Sequence, residues 1–435
     1  MSDHKFGFKT KSLHAGSSPD PQTGARTVPI YQSTAFVFEN TEDAGDLFAL
    51  RKYGNIYSRI ANPTVAALEE KIAALEGGIG AVATASGLSA QFLVFACLAG
   101  SGDHIVASAN LYGGTITQLD VTMKKFGVST TFVASDDPED FAKAINENTK
   151  FIFSEVVSNP SNQVADIEGL AKVAHANNIP LIIDSTITTP YLIRPIEFGA
   201  DIVIHSLTKF MGGHGTTLGG IVVESGKFNW GNGKFPAMLE PVPYYGGVSW
   251  WGNFGEYGFL TKLRSEQLRD IGASLTPIAA FLLIQGIETL AQRMDDHVAN
   301  AKAVAKFLES DPRVSWVNFA GSTKHPHAKR VQKYLPLGTS SVFSFGVKGD
   351  RKVGERFINS VKLASHLANV GDVRTLVIHP ASTTHRQLSD EQLSAAGVKP
   401  DLIRISVGIE DIEDIIWDID QALEAATGEN QNELA

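Results

Sequence analysis

The sequence predicts an α/β fold: a large, mainly parallel sheet covered by helices, followed by a smaller C-terminal α/β domain. Between residues 78 and 224, short apolar runs alternate with stretches of helical period, which is typical of βαβ units. Most runs are apolar throughout rather than alternating, which indicates strands buried on both faces. The strands predicted for the large sheet are IGAVATA, HIVASA, VSTTFVA, KFIFSEVV, IPLIIDS, DIVIHS and GIVVE.

The C-terminal part of the chain has a different pattern. Its runs SVFSFGV and LIRISVG alternate polar and apolar residues, which predicts a smaller, partly antiparallel sheet with one exposed face. A chain of 435 residues is long enough for two or three domains. The predicted division is an N-terminal arm at 1–60, a large domain at 61–265, connecting helices at 266–310, a C-terminal domain at 311–427 and a disordered tail at 428–435.

Composition and charge exclude several classes of protein. The net charge of -10, with no run of Lys or Arg, argues against a nucleic-acid surface. The one cysteine, Cys97, lies in the apolar segment FLVFACLAG, so we expect a buried structural thiol and a reducing compartment. The N-terminus has no apolar core of a secretory signal, and the apolar runs are too short for a membrane span. We therefore expect a cytoplasmic protein.

The segment YGNIYSRIANPT precedes the first predicted strand. It contains Tyr57 and Arg59. The simplest interpretation is that both are exposed side chains of a surface loop. Asn62 and Pro63 are suited to the N-cap and first position of a helix, which Gly77 would end.

Polar residues and glycine follow several of the apolar runs. Ser86, Gly87 and Leu88 lead from the first run into a helix, whose N-terminal N–H groups can bind a phosphate. This short motif alone is weak evidence. Tyr112 follows the second run and could stack on a planar ring, and Asn159 follows KFIFSEVV. In a parallel sheet, ligands bind beyond the carboxyl ends of the strands, where these residues would lie.

The most informative residues follow the runs IPLII and DIVIH. Asp184 would lie at the edge of a dry interior, where a carboxylate can pair with a protonated ring nitrogen; a helix cap or a structural ion pair is the alternative. Lys209 follows Ser206 and Thr208, two hydroxyls that could bind a phosphate. A lysine in a dry pocket can form a Schiff base with a carbonyl, whereas a surface lysine would have no such role.

Arg404 lies within the predicted strand LIRISVG. An exposed strand face would explain it, but a buried arginine would need an anion such as a substrate carboxylate. Together, these residues supply what pyridoxal 5′-phosphate (PLP) requires: a lysine, a carboxylate for the ring nitrogen, a stacking ring and donors for the phosphate.

The same motifs identify a family. YSRIANPT, ASGLSA, NLYGGT, SNP, the Asp-Ser-Thr at Asp184 and HSLTKFMGGHG resemble the Cys/Met-metabolism family of PLP enzymes, from about Leu13 to Ile416. The resemblance implies the aspartate-aminotransferase fold type (fold type I), with a large PLP-binding domain. The segments KFP…EPVPYYGG and HLANVGDVRTLVIHPASTTH are similar to the O-acetylhomoserine sulfhydrylase subgroup. One departure is Ser185, where the family usually has asparagine.

Each role implied by the resemblance falls on a matching position of this chain. Lys209 would bind PLP and act as acid and base, Asp184 would pair with the ring nitrogen, and Tyr112 would stack on the ring and assist the leaving group. The phosphate would be bound by Ser86, Gly87, Leu88, Ser206 and Thr208, and by Tyr57 and Arg59 of a neighbouring subunit. The substrate carboxylate would be bound by Asn159, Ser365 and Arg404. We expect no metal site. The resemblance implies a dimer of dimers, with the N-terminal arm reaching the neighbouring site.

The implied reaction is a γ-replacement in which O-acetylhomoserine and sulfide give homocysteine and acetate. Methionine γ-lyase, cystathionine γ-synthase and O-acetylserine sulfhydrylase activities share the same cofactor residues and stay open. The lyase subgroup usually has cysteine where this chain has Gly114, which favours synthesis. A non-catalytic PLP-binding protein is the alternative from another class, and the intact lysine, aspartate and arginine argue against it. A dehydrogenase is disfavoured because no GxGxxG follows an early strand.

Overall fold

The computed structural model describes residues 4–384, 386 and 399–428. Within it, the chain divides into two compact units. The first comprises residues 1–156, 165–212 and 216–289, and the second comprises 157–164, 213–215 and 290–435. The segment predicted as connecting helices, 266–310, is shared between the two units. Of the predicted tail, only Gly428 is among the described residues.

A seven-stranded sheet forms the centre of the first unit, with the strand order β1-β7-β6-β5-β4-β2-β3. Strands β1 to β6 all run in the same direction, and only β7, which lies between β1 and β6, is reversed. All seven runs predicted as strands of the large sheet are confirmed. Their bounds are β1 Gly80–Thr84, β2 His104–Ser108, β3 Ser129–Val133, β4 Thr149–Glu155, β5 Leu181–Asp184, β6 Ile202–Ser206 and β7 Gly220–Glu224.

Helices connect these strands, and they begin and end at the residues that local chemistry favours. Asn62 caps the helix after the N-terminal arm, its side chain accepting hydrogen bonds from Thr64 N and Val65 N, and Gly77 ends that helix with a φ of 82°. The helices of the first unit are α1 Phe8–His14, α2 Thr41–Phe48, α3 Pro63–Glu76, α4 Gly87–Leu98, α5 Gly113–Thr117, α6 Pro138–Ala144, α7 Ile167–Ala176, α8 Thr189–Leu192, α9 Pro236–Leu239, α10 Trp250–Phe254, α11 Gly258–Lys262, α12 Arg269–Ile271 and α13 Pro277–Glu288.

Two π-helical and three 3₁₀ segments are also present among the described residues of this unit. The π segment Gln118–Met123 follows α5, and Leu263–Leu268 follows α11. The 3₁₀ segments are Pro195–Phe198, Pro243–Tyr245 and Gly255–Tyr257.

A five-stranded sheet, in the order β10-β11-β12-β9-β8, forms the second unit. All of its pairings are antiparallel except that of β10 with β11. Its strands are β8 Val314–Asn318, β9 Val342–Val347, β10 Ser365–His366, β11 Leu376–Ile378 and β12 Leu402–Ser406. Its helices are α14 Leu290–Ser310, α15 Ala328–Tyr334, α16 Arg351–Ser360 and α17 Ile412–Thr427, with a 3₁₀ segment at Pro380–Ser382.

The prediction of one exposed face in this sheet is wrong for the neighbouring strands β9 and β12. All six residues of β9 are buried, including Ser344 at 1 % exposure, and in β12 only Arg404 is half-buried rather than buried. Alternation of polar and apolar residues misled the prediction because serine and glycine are small enough to be buried in a sheet.

Each unit has its own apolar core. That of the first unit packs the strands against α4 and includes Phe228, Trp230 and Trp250 from the aromatic segment at 227–259, which is therefore partly core. Cys97, half-buried on α4, packs against this cluster, and desolvation raises the pKa of its thiol to about 12. Among the residues described, the helices do not combine the length and apolar composition of a membrane span.

Several ionisable side chains are also buried in the first unit. Glu76 Oε2 lies 3.0 Å from His205 Nε2, and both side chains are fully buried. Lys71 donates to the carbonyl oxygen of Ser12 at 2.7 Å, which ties α1 to α3. Glu224 at the end of β7 accepts a hydrogen bond from Trp230 Nε1 at 2.7 Å, and desolvation raises its pKa from the ordinary 4.5 to about 8.

This shift predicts that Glu224→Gln makes stability less dependent on pH. Because the folded state holds the Glu224 proton more tightly than the unfolded chain, the free energy of unfolding decreases as pH rises from about 4.5 to about 8. Glutamine keeps the acceptor for Trp230 but does not ionise. Between pH 5 and 8.5, thermal unfolding of the parent should lose about 5 °C more than that of the variant. The exposed Glu240→Gln is the matched control, and an unchanged pH dependence in Glu224→Gln would contradict the prediction.

Candidate active site

The carboxyl ends of β1 to β6 lie at one edge of the large sheet, because these strands share one direction. Four of the predicted site residues follow or end these strands. Ser86 comes after β1, Tyr112 after β2, Asp184 at the end of β5 and Lys209 after β6. The structure thus places them at the edge where a parallel sheet binds its ligands.

The N-terminus of α4 is built for close approach. Ser86 is the N-cap, and its hydroxyl accepts the N–H of Ser89 at 3.1 Å. The N–H groups of Gly87 and Leu88 have no acceptor within the helix, since the first turn of any helix lacks one. A Cβ at Gly87 would lie 2.6 Å from Ser206 Cβ, and one at Gly220 would overlap the carbonyl oxygen of Ser86. Glycine at these two positions therefore lets α4 meet the end of β6 and lets the loop at Ser86 meet the start of β7.

Ser206 ends β6, Thr208 and Lys209 lie in the turn that follows, and all three are half-buried. The N–H of Ser206 donates to Thr186 Oγ1 at 2.8 Å, which joins the end of β6 to the turn after β5. The Thr208 hydroxyl accepts the N–H of Gly219 at 3.1 Å and lies 3.3 Å from the Gly219 carbonyl oxygen. The Thr208 hydroxyl would have to rotate to donate to a phosphate. Ser206 Oγ lies beside Gly87, the first residue of α4.

Neutral donors hold the Asp184 carboxylate. The N–H of Thr186 donates to Oδ1 at 2.9 Å, and Gln91 Nε2 donates to Oδ2 at 3.0 Å. The neighbouring Ser185, which replaces the usual asparagine, is buried, and its hydroxyl pairs with Thr188 Oγ1 at 2.8 Å. The turn thus satisfies the serine internally, while Asp184 keeps its carboxylate at the strand end.

Tyr112 is the N-cap of α5 and its side chain is half exposed. Its backbone N–H donates to Glu155 Oε1 at 2.7 Å, at the end of β4. A Cβ at Gly114 would overlap the Tyr112 ring at Cε1. Because Gly114 has no side chain, the ring can lie against the first turn of α5.

Among the residues that the structure describes, the contacts of the Arg59 side chain are with Tyr57 and Arg269 and not with the residues at this edge. Tyr57 and Arg59 are both exposed; the Arg59 guanidinium lies 5.4 Å from the centre of the Tyr57 ring and donates to the carbonyl oxygen of Arg269. Within one chain, both side chains of this tyrosine–arginine pair are therefore exposed.

The three residues predicted to bind the substrate carboxylate belong to the second unit. Asn159 is buried, and its Oδ1 has no hydrogen-bond partner within the described chain. Ser365 lies in β10, half-buried. Arg404 in β12 is half-buried rather than exposed, and its Nη2 donates to the carbonyl oxygen of Asn369 at 3.2 Å.

The residues of the first unit fit PLP. The first turn of helix α4 presents backbone N–H groups beside Ser206, which suits a phosphate dianion. The Asp184 carboxylate is held by neutral donors and retains lone pairs for a ring N–H. Lys209 follows β6, the strand next to β5, and its amine suits the aldehyde of the cofactor. Each of these groups therefore matches one part of PLP.

The Thr115 hydroxyl donates to Gln91 Oε1 at 3.0 Å and so belongs to the same network. Sequence reasoning missed three of its residues: Gln91, Thr115 and Thr186. Gln91 is an amide in the otherwise apolar helix segment AQFLVFACL, and this could have indicated a buried polar contact. Thr115 and Thr186 carried no such signal, because their role depends on which strands are neighbours.

Comparison with known proteins gives a consistent result. The family described as Cys/Met metabolism PLP-dependent enzyme matches residues 9–424. Sulfhydrylase FUB7 of Fusarium oxysporum f. sp. lycopersici is 51% identical over 432 residues, covering 98% of this chain and 100% of that protein. Homocysteine synthase of Schizosaccharomyces pombe is 50% identical, covering 96% and 98%. A Campylobacter jejuni crystal structure, a putative O-acetylhomoserine (thiol)-lyase with N'-pyridoxyl-lysine-5'-monophosphate, is 39% identical, covers 96% of this chain and 100% of its own, and has a TM-score of 0.92.

The geometry of α4 predicts that Gly87→Ala weakens PLP binding by about tenfold or more. The added methyl group would collide with Ser206 and shift the helix N-terminus, which removes charge-assisted hydrogen bonds to the phosphate. Equilibrium dialysis of the apoenzyme with PLP measures the affinity. Gly100→Ala, where a Cβ has nothing within 4 Å, is the control. Equal affinity of the two variants would show that α4 does not bind the phosphate.

Proposed function

This chain belongs to the Cys/Met metabolism PLP-dependent enzymes, and we propose that it catalyses γ-replacement of O-acetylhomoserine by sulfide. The products are homocysteine and acetate, which would place the enzyme in sulfur assimilation and methionine biosynthesis. The observation that carries the proposal is the similarity over nearly the whole chain, at 50% identity, to a homocysteine synthase. The assembled site at the edge of the large sheet supports it.

PLP, when bound, withdraws electrons from the substrate carbons next to the amino group. This chain's contribution is to hold that ring and to move protons. Lys209 would bind the cofactor covalently until the substrate amine displaces it. Asp184 would keep the ring nitrogen protonated, and α4 with Ser206 would hold the phosphate.

The position of the leaving group explains why one lysine must act more than once. Acetate leaves from Cγ, so the proton on Cα and then a proton on Cβ must be removed before the Cγ–O bond breaks. The displaced amine of Lys209 would take and return these protons. Sulfide then forms the Cγ–S bond, so that one acetate leaves for each sulfide added. Tyr112 is the residue proposed to assist the departing acetate.

Arg404 would bind the substrate carboxylate, with Asn159 and Ser365 supplying further donors. A guanidinium matches a carboxylate in two parallel hydrogen bonds, which orients as well as binds. The half-buried position of Arg404 supports this role, because a screened surface arginine would bind an anion weakly.

Product analysis tests the proposed reaction. The purified protein should show the near-visible absorbance of lysine-bound PLP and should form homocysteine from O-acetylhomoserine only when sulfide is present. Parallel assays use O-succinylhomoserine, O-acetylserine, cysteine as the sulfur donor, and methionine alone. Turnover of methionine without sulfide would make it a γ-lyase, and cystathionine from cysteine would make it a cystathionine γ-synthase. Bound PLP with no turnover of any substrate would make it a non-catalytic PLP-binding protein.

Lys209→Ala should abolish turnover while the protein stays folded, because no other group would move the Cα and Cβ protons. The measurements are homocysteine formation and borohydride reduction followed by peptide mass. Reduction should leave the pyridoxyl group on Lys209 in the parent and on no peptide in the variant. Turnover near the parent rate would disprove the role of Lys209.

Arg404→Ala should raise the KM for O-acetylhomoserine by about tenfold to a hundredfold, because a charge-assisted contact is lost. The affinity for PLP should stay within about twofold of the parent. Arg386, which is exposed, provides the control Arg386→Ala. Loss of PLP with an unchanged KM would assign Arg404 to another role.

We also propose that the active unit is a dimer, paired again into a tetramer, in the cytoplasm. The exposed Tyr57–Arg59 pair supports a site completed by a neighbouring chain. In a two-fold dimer such a contact is reciprocal, so each dimer would contain two composite sites.

Mixing two inactive variants tests the shared site. Arg59→Ala and Lys209→Ala should each be inactive, and their mixed dimers should contain one site with both lesions and one site with neither. Activity should therefore return on mixing under subunit exchange, up to about a quarter of the parent value for random dimers. If mass spectrometry shows mixed dimers and no activity returns, Arg59 acts within its own chain.

A further inference from the structure

We propose that Gln91 is a positioning residue that fixes the Asp184 carboxylate for the cofactor ring nitrogen, and that Thr115 in turn fixes Gln91. The inference rests on the proposed role of Asp184. Gln91 Nε2 lies 3.0 Å from Asp184 Oδ2, and Thr115 Oγ1 lies 3.0 Å from Gln91 Oε1. Gln91 is 3 % exposed and Thr115 is fully buried, so water does not replace these bonds.

The hydrogen bonds leave one orientation for the Gln91 amide. An ionised carboxylate only accepts hydrogen bonds, so the NH₂ group of Gln91 must face Asp184. Its oxygen then faces Thr115, whose hydroxyl donates. The reversed amide would place its oxygen against the carboxylate, so Asp184 selects the orientation of the amide, and the Thr115 hydroxyl holds the amide in that orientation by donating to its oxygen.

Two elements therefore hold the two oxygens of Asp184. Oδ1 is held by the N–H of Thr186 in the turn after β5, and Oδ2 is held by Gln91 on α4. With both bonds in place, rotation of the carboxylate about χ2 is restricted, and one lone pair on each oxygen stays available to the ring nitrogen. Without Gln91, only the bond within the turn would remain.

The chemistry of glutamine also suits this position. An arginine or lysine in its place would neutralise Asp184 and compete with the protonated ring, whereas the neutral amide holds the carboxylate and leaves its charge available. A carboxylic acid there would add a like charge. The amide thus orients Asp184 without cancelling the interaction that the cofactor needs.

Thr115 extends this network to the ring face. It lies on α5, whose N-cap is Tyr112, and its N–H donates to the Tyr112 carbonyl oxygen at 2.9 Å. The residue proposed to stack on the ring and the residue proposed to pair with its nitrogen are therefore joined through Thr115 and Gln91.

The decisive experiment compares PLP with 1-deazapyridoxal 5′-phosphate, in which a C–H group replaces the ring nitrogen. Dissociation constants of both are measured on the apoenzymes of the parent and of Gln91→Met, which keeps the length and removes the hydrogen bonds. PLP should bind the variant about tenfold more weakly, whereas the affinity for the deaza analogue should change by less than about twofold. A purely structural role would weaken both ligands equally.

Two further variants keep the test valid if Gln91→Met folds poorly. Thr115→Val should weaken PLP by about threefold and leave the analogue unaffected, whereas Thr115→Ser, which retains the hydroxyl, should stay within about twofold of the parent. The matched control is Gln421→Met in the second unit, which removes the hydrogen bond that the Gln421 side-chain amide donates to Asp418 Oδ1 at 3.1 Å. Gln421→Met should change neither the dissociation constant of PLP nor that of the deaza analogue.

The outcomes separate this inference from the proposed function. Equal weakening of both ligands by Gln91→Met, or unchanged PLP affinity, overturns the role of Gln91 alone, provided that Asp184→Asn still distinguishes PLP from the analogue. If Asp184→Asn weakens both ligands equally, the proposed role of Asp184 is overturned, and the inference with it. A parent protein that does not bind PLP overturns both.

Discussion

The common direction of β1 to β6 is the constraint on which the rest of the structure depends. Parallel neighbours require a crossover after every strand, and the crossovers begin at one edge of the sheet. Four segments of distant sequence thereby meet there. The reversed strand β7 fits between β1 and β6 because Gly220 has no side chain to collide with the carbonyl oxygen of Ser86. The backbone of the sheet, rather than the catalytic side chains, therefore determines where the site lies.

The strands of the large sheet could be predicted because burial on both faces leaves an uninterrupted apolar run, and polar residues at the ends of such runs have few structural reasons to be there. Asp184 and Lys209 were found in this way. The missed strands lack that signature: β10 has two residues, β11 has three, and β8 is only partly buried. Pairing with neighbours stabilises them rather than their own composition.

The support of the site could not be predicted for a different reason. Gln91 and Asp184 are 93 positions apart, and they meet because α4 packs on β6 and β7, with β5 as the next strand of the sheet. Ser185 shows the converse. It departs from the family pattern, but its hydroxyl is hydrogen-bonded to Thr188, only three residues away, so its environment is local in sequence. Sequence patterns locate groups at strand ends, but the donors that orient those groups depend on the topology.

Helix α4 combines two functions that would otherwise need separate elements. Its first turn presents the N–H groups proposed to hold the phosphate, and Gln91, about one turn further along, faces the carboxylate proposed for the ring nitrogen. Because a helix is rigid over one turn, the backbone spacing between Gly87 and Gln91 is set by helical geometry. The same helix would then fix the positions of both the phosphate and the ring. The apolar side of α4 packs into the core of the first unit, which would hold the helix in place.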